Sequence, residues 1–247
     1  MLSNRVVVVV GGSGGLGSAV SQYVAGKGAK VASLYCSNQD RSNQVVNAIQ
    51  TAGGHATAIK VDITDNESVE AMAKNVVAEF GTIDVLINCA GVSRNSISWK
   101  MPKDDWEETL SINLTGAFNC VCAVLPTMRM QGWGRIINVT SIVGQIGVAG
   151  TAAYSATKAG LMGMTRTLAI EVASKGITVN SLALGYFDAG IITNVPPDKL
   201  EKIVALIPVG RLGKVEELCH VVDFLCADEA GYITGQIINL NGGLYLG

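Results

Sequence analysis

Tyr154 and Lys158 stand four residues apart, and their types and spacing most directly suggest chemistry in this sequence. On a helix, that spacing places the phenol and the ammonium on one face. A nearby cation stabilises a phenolate, so we expect the pKa of Tyr154 to fall from its usual value of about 10. Such a tyrosine can exchange a proton with a reacting group. The spacing also fits a surface tyrosine beside a lysine that reaches solvent, so the pair alone assigns no function.

A glycine-rich stretch suggests a second kind of chemistry, the binding of a pyrophosphate. The candidate contact residues follow an apolar segment and are Gly11, Ser13, Gly14, Gly15, Leu16 and Gly17. Glycines at a strand–helix junction let backbone N–H groups approach phosphate oxygens at the helix N-terminus. We therefore predict a dinucleotide site here rather than a flexible surface turn.

The end of the next apolar segment indicates which dinucleotide binds. NAD-binding folds usually place a carboxylate about 20 residues beyond the glycines, on the ribose hydroxyls. Here Tyr35 occupies that region, followed by Ser37, Asn38, Asp40 and Arg41. Arg41 also fits a merely solvated position at a helix start. Because no carboxylate stands at the site itself to repel a 2′-phosphate, we predict NADP(H) in preference to NAD(H).

Short β-branched segments alternate with longer helical patterns. The predicted strands are Val6–Val10, Lys30–Tyr35, Ala56–Val61, Val85–Ile87, Arg135–Val139, Thr178–Leu182 and Gln236–Asn239. The predicted helices are one that follows the glycines and then Gln39–Thr51, Ser68–Phe80, Asp105–Met130, Thr151–Ser174 and Val215–Cys226. Near-continuous apolar strands are typical of parallel sheets covered on both sides. The sequence predicts an α/β fold, a doubly wound (Rossmann) seven-stranded parallel sheet with helices on both faces.

No linker, charge run or internal repeat divides the 247 residues, so we predict a single domain over 1–247. Residues 1–140 would form mainly the cofactor-binding half. Residues 141–247 would form the catalytic and substrate half, because Ser141 follows the fifth predicted strand at the carboxyl edge, where ligands bind in doubly wound sheets.

Composition excludes several function classes. A net charge of −2 gives no reason to expect nucleic acid or a membrane surface as partner. Two histidines and six cysteines without framework spacing argue against a metal site and against disulfides, and we expect the cysteines to be buried in a reducing compartment. No apolar run is long enough to span a membrane, so the chain is predicted to be soluble and cytoplasmic.

These residues, in this order, resemble the short-chain dehydrogenase/reductase family along essentially the whole chain. The matching features are the glycine loop, Asp62, Asn88-Cys89-Ala90-Gly91, Asn113, Ser141, Tyr154 and Lys158. Within that family the sequence is most similar to the 3-oxoacyl-[acyl-carrier-protein] reductases and the acetoacetyl-CoA reductases. The supporting stretches are Gly132–Ile136, Ile207–Gly213 and Leu240–Gly247.

The resemblance implies a role for each catalytic residue. Tyr154 would give a proton to the carbonyl oxygen, and Ser141 would hydrogen-bond the same oxygen. Lys158 would hold the nicotinamide ribose and lower the tyrosine pKa, while Asn113 would hold a water between Lys158 and solvent. Further cofactor contacts implied by the resemblance are Asp62 and Ile63 at the adenine, Asn88, Ala90 and Gly91 at the ribose, and Gly185 and Phe187 at the nicotinamide.

The sequence departs from the family pattern at several positions. Val10 replaces a threonine whose hydroxyl braces the glycine loop, and Cys89 replaces a second asparagine. Leu184 and Ala189 stand where the family has proline and a threonine that binds the nicotinamide carboxamide. Losing one such hydrogen bond costs about 0.5–1.5 kcal/mol, so we expect weaker nicotinamide binding rather than another reaction.

On the substrate side, we expect Ser141, Val148, Ala149, Tyr154 and Tyr186 to line the pocket, although ordinary loop packing explains Val148, Ala149 and Tyr186 as well. By family resemblance, residues 188–207 would form a mobile lid. The resemblance also implies a homotetramer. Its interfaces would use the two long helices, through Phe118, Cys122, Leu125, Leu161, Thr165 and Leu168, and the last helix with the last strand.

The leading hypothesis is the NADPH-dependent reduction of a 3-oxoacyl thioester, carried on CoA or on acyl carrier protein. One alternative is an NAD(P)-dependent dehydrogenase or reductase of another secondary alcohol or ketone, with a cyclic, aromatic or polyketide-like substrate. A third is a catalytically silent nucleotide-binding subunit. The altered Val10, Leu184 and Ala189 motivate the third, and the intact catalytic residues argue against it.

Overall fold

A computed structural model describes residues 2–247, apart from the side chains at positions 191 and 194. Its parallel strands are β1 (Val6–Val10), β2 (Lys30–Tyr35), β3 (His55–Lys60), β4 (Val85–Asn88), β5 (Gly134–Ser141), β6 (Ile177–Leu184) and β7 (Ile237–Leu240). Its α-helices are α1 (Gly15–Gly26), α2 (Gln39–Thr51), α3 (Asn66–Phe80), α4 (Lys103–Leu110), α5 (Gly116–Gln131), α6 (Ala152–Val172), α7 (Pro197–Leu206) and α8 (Val215–Cys226).

The strands form one seven-stranded sheet in the order β3-β2-β1-β4-β5-β6-β7. The predicted doubly wound α/β fold is therefore confirmed. The direction of winding reverses between β1 and β4, which opens a crevice at the carboxyl ends of these strands. Ligands of doubly wound sheets bind in that crevice, so the topology alone brings the glycine loop and the end of β4 to one site.

An apolar layer covers each face of the sheet. On one face, the side chains of Val7, Val9 and Ile87 pack with helices α1, α2 and α8. On the other face, those of Val8 and Leu86 pack with α3, α5 and α6. Burial on both sides explains why the strands are apolar without alternation.

The predicted helix Asp105–Met130 differs in detail from the observed one. The observed helical segment begins at Lys103, and a π-helical turn over Ser111–Thr115 separates α4 from α5. By length and hydropathy, the stretch Lys103–Gln131 could also cross a membrane, yet α5 packs against α3 and the sheet as a core helix. The turn matters for function because π turns are frequent at functional sites, and this one holds Asn113.

Two expectations about burial are wrong. Cys36 and Cys122 are exposed, because one lies in the loop after β2 and the other on the outer face of α5. Leu161, Thr165 and Leu168 are buried in the subunit core, because they lie on the inner face of α6. Those three positions of α6 therefore cannot form the predicted subunit interface, whereas Phe118 on α5 is exposed.

Candidate active site

A cavity of about 570 Å³ lies at the crevice between the ends of β1 and β4. Its walls come from the loops that follow the first four strands. The predicted cofactor residues among its lining are Gly11, Ser13, Gly14, Tyr35, Ser37, Asn38, Asp62, Ile63, Ala90 and Gly91. Residues far apart in the sequence thus meet around one space large enough for part of a dinucleotide.

The glycine loop has a backbone that other residues would not permit. Gly11 has a φ of +74°, and a Cβ on it would lie 2.9 Å from Ala90. A Cβ on Gly17 would lie 2.2 Å from the carbonyl oxygen of Gly11. Gly14 ends the loop in an extended conformation, and the first backbone bond of α1 runs from the N–H of Ser18 to the Gly14 carbonyl.

The N–H groups of Gly15, Leu16 and Gly17 therefore have no carbonyl partner within their own helix, as at any helix N-terminus. Such groups bind phosphate oxygens, and the glycines leave open the space that a pyrophosphate needs to reach them. The residues present fit a dinucleotide.

The region predicted to take a 2′-phosphate is only partly assembled. Ser37 and Asn38 line the cavity, whereas Arg41 is exposed and lies outside its lining. The side-chain oxygen of Asn38 accepts a hydrogen bond from the Arg41 backbone N–H at 2.9 Å and caps α2. Asn38 therefore keeps its amide N–H groups for a ligand.

Asp62 is held in a fixed orientation at the end of β3. One of its carboxylate oxygens accepts hydrogen bonds from both the backbone and the hydroxyl of Thr64. These bonds lower the pKa of Asp62 below its ordinary value. The carboxylate is thus ionised at neutral pH, with one oxygen free to accept a hydrogen bond from a ligand.

Asn88 is one of the predicted cofactor residues that do not line the cavity. Its side chain is buried within the sheet, outside the lining of the cavity, and its amide donates to Asn138 at 2.9 Å. The reason is its position inside β4, one residue before the chain turns toward the cavity.

Sequence reasoning also missed lining residues from the opposite wall, namely Glu108, Ser111 and Ile112. No periodicity identifies them, because they reach the cavity only through the packing of α4.

The predicted catalytic residues meet at the carboxyl edge of the sheet. Lys158 is buried, with its Nζ 5.4 Å from the centre of the Tyr154 ring. That ammonium donates a 2.8 Å hydrogen bond to the backbone carbonyl of Val139, two residues before Ser141. Two contacts at 3.4 Å engage the Ser141 hydroxyl only weakly.

The expected lowering of the Tyr154 pKa is wrong. Burial raises the pKa of Tyr154 to about 12, although a hydrogen bond with Ser141 acts in the opposite direction. Burial also lowers the pKa of Lys158 to about 8, so the cation that was expected to stabilise the phenolate is itself weakened. The phenol is consequently protonated at neutral pH, the form that a proton donor requires.

Asn113 braces the loop that follows β4. Its side chain accepts from the Val92 N–H and donates to the Val92 carbonyl, both at 2.8 Å, and a longer bond reaches Thr157. Both amide hydrogens are thereby occupied. A Cβ on Gly91 would lie 3.3 Å from Asn113 Oδ1 and 3.6 Å from Lys158 Nζ, so the three residues adjoin. The predicted water-holding role remains a prediction.

The predicted substrate and nicotinamide residues divide between two places. Tyr186, predicted at the substrate, and Phe187, predicted at the nicotinamide, line a second cavity of about 270 Å³ rather than the large one. Val148 and Ala149 lie exposed on the loop before α6. Gly185 packs against Asn241, where a Cβ would lie only 2.8 Å from the Asn241 backbone. The predicted substrate residues therefore do not line one common cavity.

Comparison with known proteins decides the family. A family profile described as enoyl-(acyl carrier protein) reductase matches residues 11–245. The chain is 39% identical over 243 residues to a protein of Staphylococcus epidermidis named 3-oxoacyl-[acyl-carrier-protein] reductase FabG, covering 98% of this chain and all of that protein. A protein of the same name from Salmonella typhimurium is 38% identical over 242 residues, 98% of each chain.

The chain belongs to the short-chain dehydrogenase/reductase family. It is thus an oxidoreductase of a family that uses an NAD(P) nucleotide, consistent with the cavity at the switch point. The profile and the relatives carry names of two different reductions, one of a carbon–carbon double bond and one of a ketone. The positions of Ser141, Tyr154 and Lys158 help to decide between these two reductions.

Proposed function

We propose that this protein reduces a 3-oxoacyl thioester to the 3-hydroxyacyl thioester with NADPH. The observation that carries the proposal is the meeting of Ser141, Tyr154 and Lys158 beside the dinucleotide cavity. Two hydroxyls directed at one reacting oxygen suit a ketone, whose oxygen gains negative charge and then a proton. The relatives named for 3-oxoacyl reduction share 38–39% identity over their full length and support the same reaction.

In the proposed reaction, one ketone, one NADPH and one proton give the alcohol and NADP⁺. NADPH, when bound, supplies the hydride that the carbonyl carbon receives. Ser141 donates a hydrogen bond to the carbonyl oxygen and orients it. Tyr154, protonated at neutral pH, donates the proton that this oxygen gains. Lys158 donates to the Val139 carbonyl, and its pKa of about 8 leaves it mostly protonated at neutral pH, so it places a positive charge next to Tyr154.

The backbone N–H groups of Gly15, Leu16 and Gly17 would hold the pyrophosphate, and Asp62 would meet the adenine. The hydroxyl of Ser37 and the amide of Asn38 would hold the 2′-phosphate that distinguishes NADPH from NADH. Arg41 would have to swing toward the cavity to contribute.

We therefore expect kcat/KM to be higher with NADPH than with NADH by at least about tenfold, which corresponds to about 1.4 kcal/mol. Steady-state kinetics with both nucleotides at one ketone concentration provide the measurement. A preference for NADH would contradict the assignment of Ser37 and Asn38.

The substrate class is tested by offering acetoacetyl-CoA, crotonyl-CoA and a cyclic ketone with NADPH and following absorbance at 340 nm. We expect turnover on acetoacetyl-CoA. Turnover on crotonyl-CoA alone would favour the reduction named by the family profile. Turnover on the cyclic ketone alone would favour a non-thioester substrate, and tight nucleotide binding without turnover would favour a silent subunit.

The remaining expectations complete the proposal. We place the protein in the cytoplasm, acting on substrates carried by acyl carrier protein or CoA, in one domain. The lid over 188–207 is supported by α7, none of whose described side chains is buried.

A homotetramer remains proposed, with Phe118 and Cys122 on one interface. Light scattering should return about four times the 25.7 kDa subunit mass, and 25.7 kDa itself would contradict it.

A further inference from the structure

A chain of buried polar side chains crosses three strands and one helix beneath the catalytic residues. Asn88 on β4 donates to Asn138 on β5 at 2.9 Å, and Asn138 donates to Thr165 on α6 at 2.9 Å. The hydroxyl of Thr165 is 2.7 Å from that of Ser181 on β6. All four side chains are at most 4% exposed. A polar chain of this kind in an otherwise apolar layer requires an explanation.

The sheet register places three of these residues in one row. Asn88 pairs with Asn138, and Asn138 pairs with Ser181, so their side chains emerge at one level on one face. Thr165 meets the row from above, as part of the helix that packs on that face. The hydrogen bonds therefore connect α6 to β5 and β6 at a single level.

Thr165 lies on the same face of α6 as Lys158, seven residues or about two turns further along. The other buried side chains of α6 beyond Lys158 are Leu161, Met162, Leu168, Ala169 and Val172. Apolar contacts permit small shifts of a helix, whereas directional hydrogen bonds fix its position along and around its axis. Near their own end of α6, Thr157 and Lys158 hydrogen-bond to Asn113 and to the Val139 carbonyl. Thr165 is the buried side chain that adds directional bonds two turns further along, at the level of Asn138, three residues before Ser141.

We propose that a positioning network holds α6 on β5 and β6 in the position that brings Tyr154 and Lys158 next to Ser141. The network consists of Asn88, Asn138, Thr165 and Ser181. The inference rests on the proposed function, because it assumes that Tyr154, Lys158 and Ser141 act on one substrate. None of the four residues contacts the substrate; they act through the placement of the helix. Misplacing a catalytic group by about 1 Å can cost roughly 10²-fold in rate.

Thr165→Val tests the proposal, since it keeps the shape of the side chain and removes the hydroxyl. We expect kcat to fall by roughly 10-fold or more, with the KM values for NADPH and acetoacetyl-CoA within about twofold of wild type. Thr165→Ser restores the hydroxyl and should restore most of kcat. Val172→Ala is the matched control, because it weakens the buried face of α6 outside the network, and it should lower Tm without a comparable fall in kcat.

An unchanged kcat in Thr165→Val, or an equal fall in Val172→Ala, would overturn the positioning role. If Thr165→Val does not fold, Ser181→Ala decides instead, because Thr165 keeps its bond from Asn138. There we expect kcat to fall by roughly threefold at unchanged KM, and an unchanged kcat would overturn the proposal.

Hydrogen exchange separates this proposal from the proposed function. Peptides covering residues 152–158 should exchange faster in Thr165→Val than in wild type, and Val172→Ala should leave them unchanged. If the wild type turned over no 3-oxoacyl thioester, the proposed function would fail, and the exchange result alone would support or overturn the network.

The network also ends in an unsatisfied group. Asn88 Oδ1 is buried and accepts no hydrogen bond within residues 2–247. Its register neighbour on β1 is Val10, on the same face of the sheet. Val10→Thr would place a hydroxyl beside that oxygen without changing the side-chain shape. We expect Tm to rise by about 2–4 °C, and an unchanged or lower Tm would show that the row does not extend to β1.

Discussion

Replacing Tyr154 with phenylalanine is expected to abolish turnover while nucleotide binding persists. The phenol of Tyr154 lies beside Lys158, and burial raises its pKa to about 12, so it is protonated at neutral pH. Positioned general acid catalysis is worth roughly 10²–10⁴-fold in rate, so the loss should be of that size. Phenylalanine fills the same space, so the cavity should keep its shape. Steady-state kinetics and NADPH fluorescence titration give the two measurements.

Tyr245→Phe is the matched control for this substitution, because Tyr245 lies near the chain end and contacts Gly247 rather than the site. Its kcat should stay near that of wild type. Near-normal turnover by Tyr154→Phe would show that another group donates the proton, and the catalytic assignment would be wrong.

Replacing Gly17 with alanine should have the second largest effect. The added Cβ would lie 2.2 Å from the Gly11 carbonyl oxygen, a backbone atom that cannot move without changing the loop. Overpacking of this kind costs about 1–3 kcal/mol. If the cost falls on the bound conformation, the Kd for NADPH should rise by roughly 5- to 150-fold.

Gly26→Ala on the same helix provides the control, since a Cβ there meets no atom within 4 Å. That variant should bind NADPH normally and be more stable by about 0.5–1 kcal/mol. Equal NADPH affinity for Gly17→Ala and wild type would contradict the conclusion that the close packing of this loop creates the phosphate site.

Much of the site follows from position along the sequence. Parallel strands end at one edge of the sheet, so residues just after Val10, Tyr35 and Val61 had to converge, and they do so around the cavity. The proximity of Tyr154 and Lys158 follows from helical spacing in the same direct way. Both rules depend only on neighbouring positions in the chain, so they can be applied to a sequence alone.

What the sequence did not reveal depends on desolvation and on packing at a distance. The spacing of Tyr154 and Lys158 indicated an ion that lowers a pKa, but burial acts on both groups and reverses the expected direction. Asn88 was expected at the ribose because it precedes Ala90 and Gly91. Side chains alternate between the two faces of a strand, however, and that of Asn88 points to the buried face, where it hydrogen-bonds to Asn138. Thr165 appeared to be an outer residue because its helix face could not be assigned from a weakly amphipathic pattern.

The central claim is that a ketone carbon receives hydride while Tyr154 protonates its oxygen. Incubating the protein with acetoacetyl-CoA and NADPH doubly deuterated at nicotinamide C4, followed by mass spectrometry of the product, tests it directly. We expect 3-hydroxybutyryl-CoA that carries deuterium at C3, and none from Tyr154→Phe over the same time. Recovery of unlabelled acetoacetyl-CoA from the wild type, or label in a product that keeps its ketone, would contradict the claim.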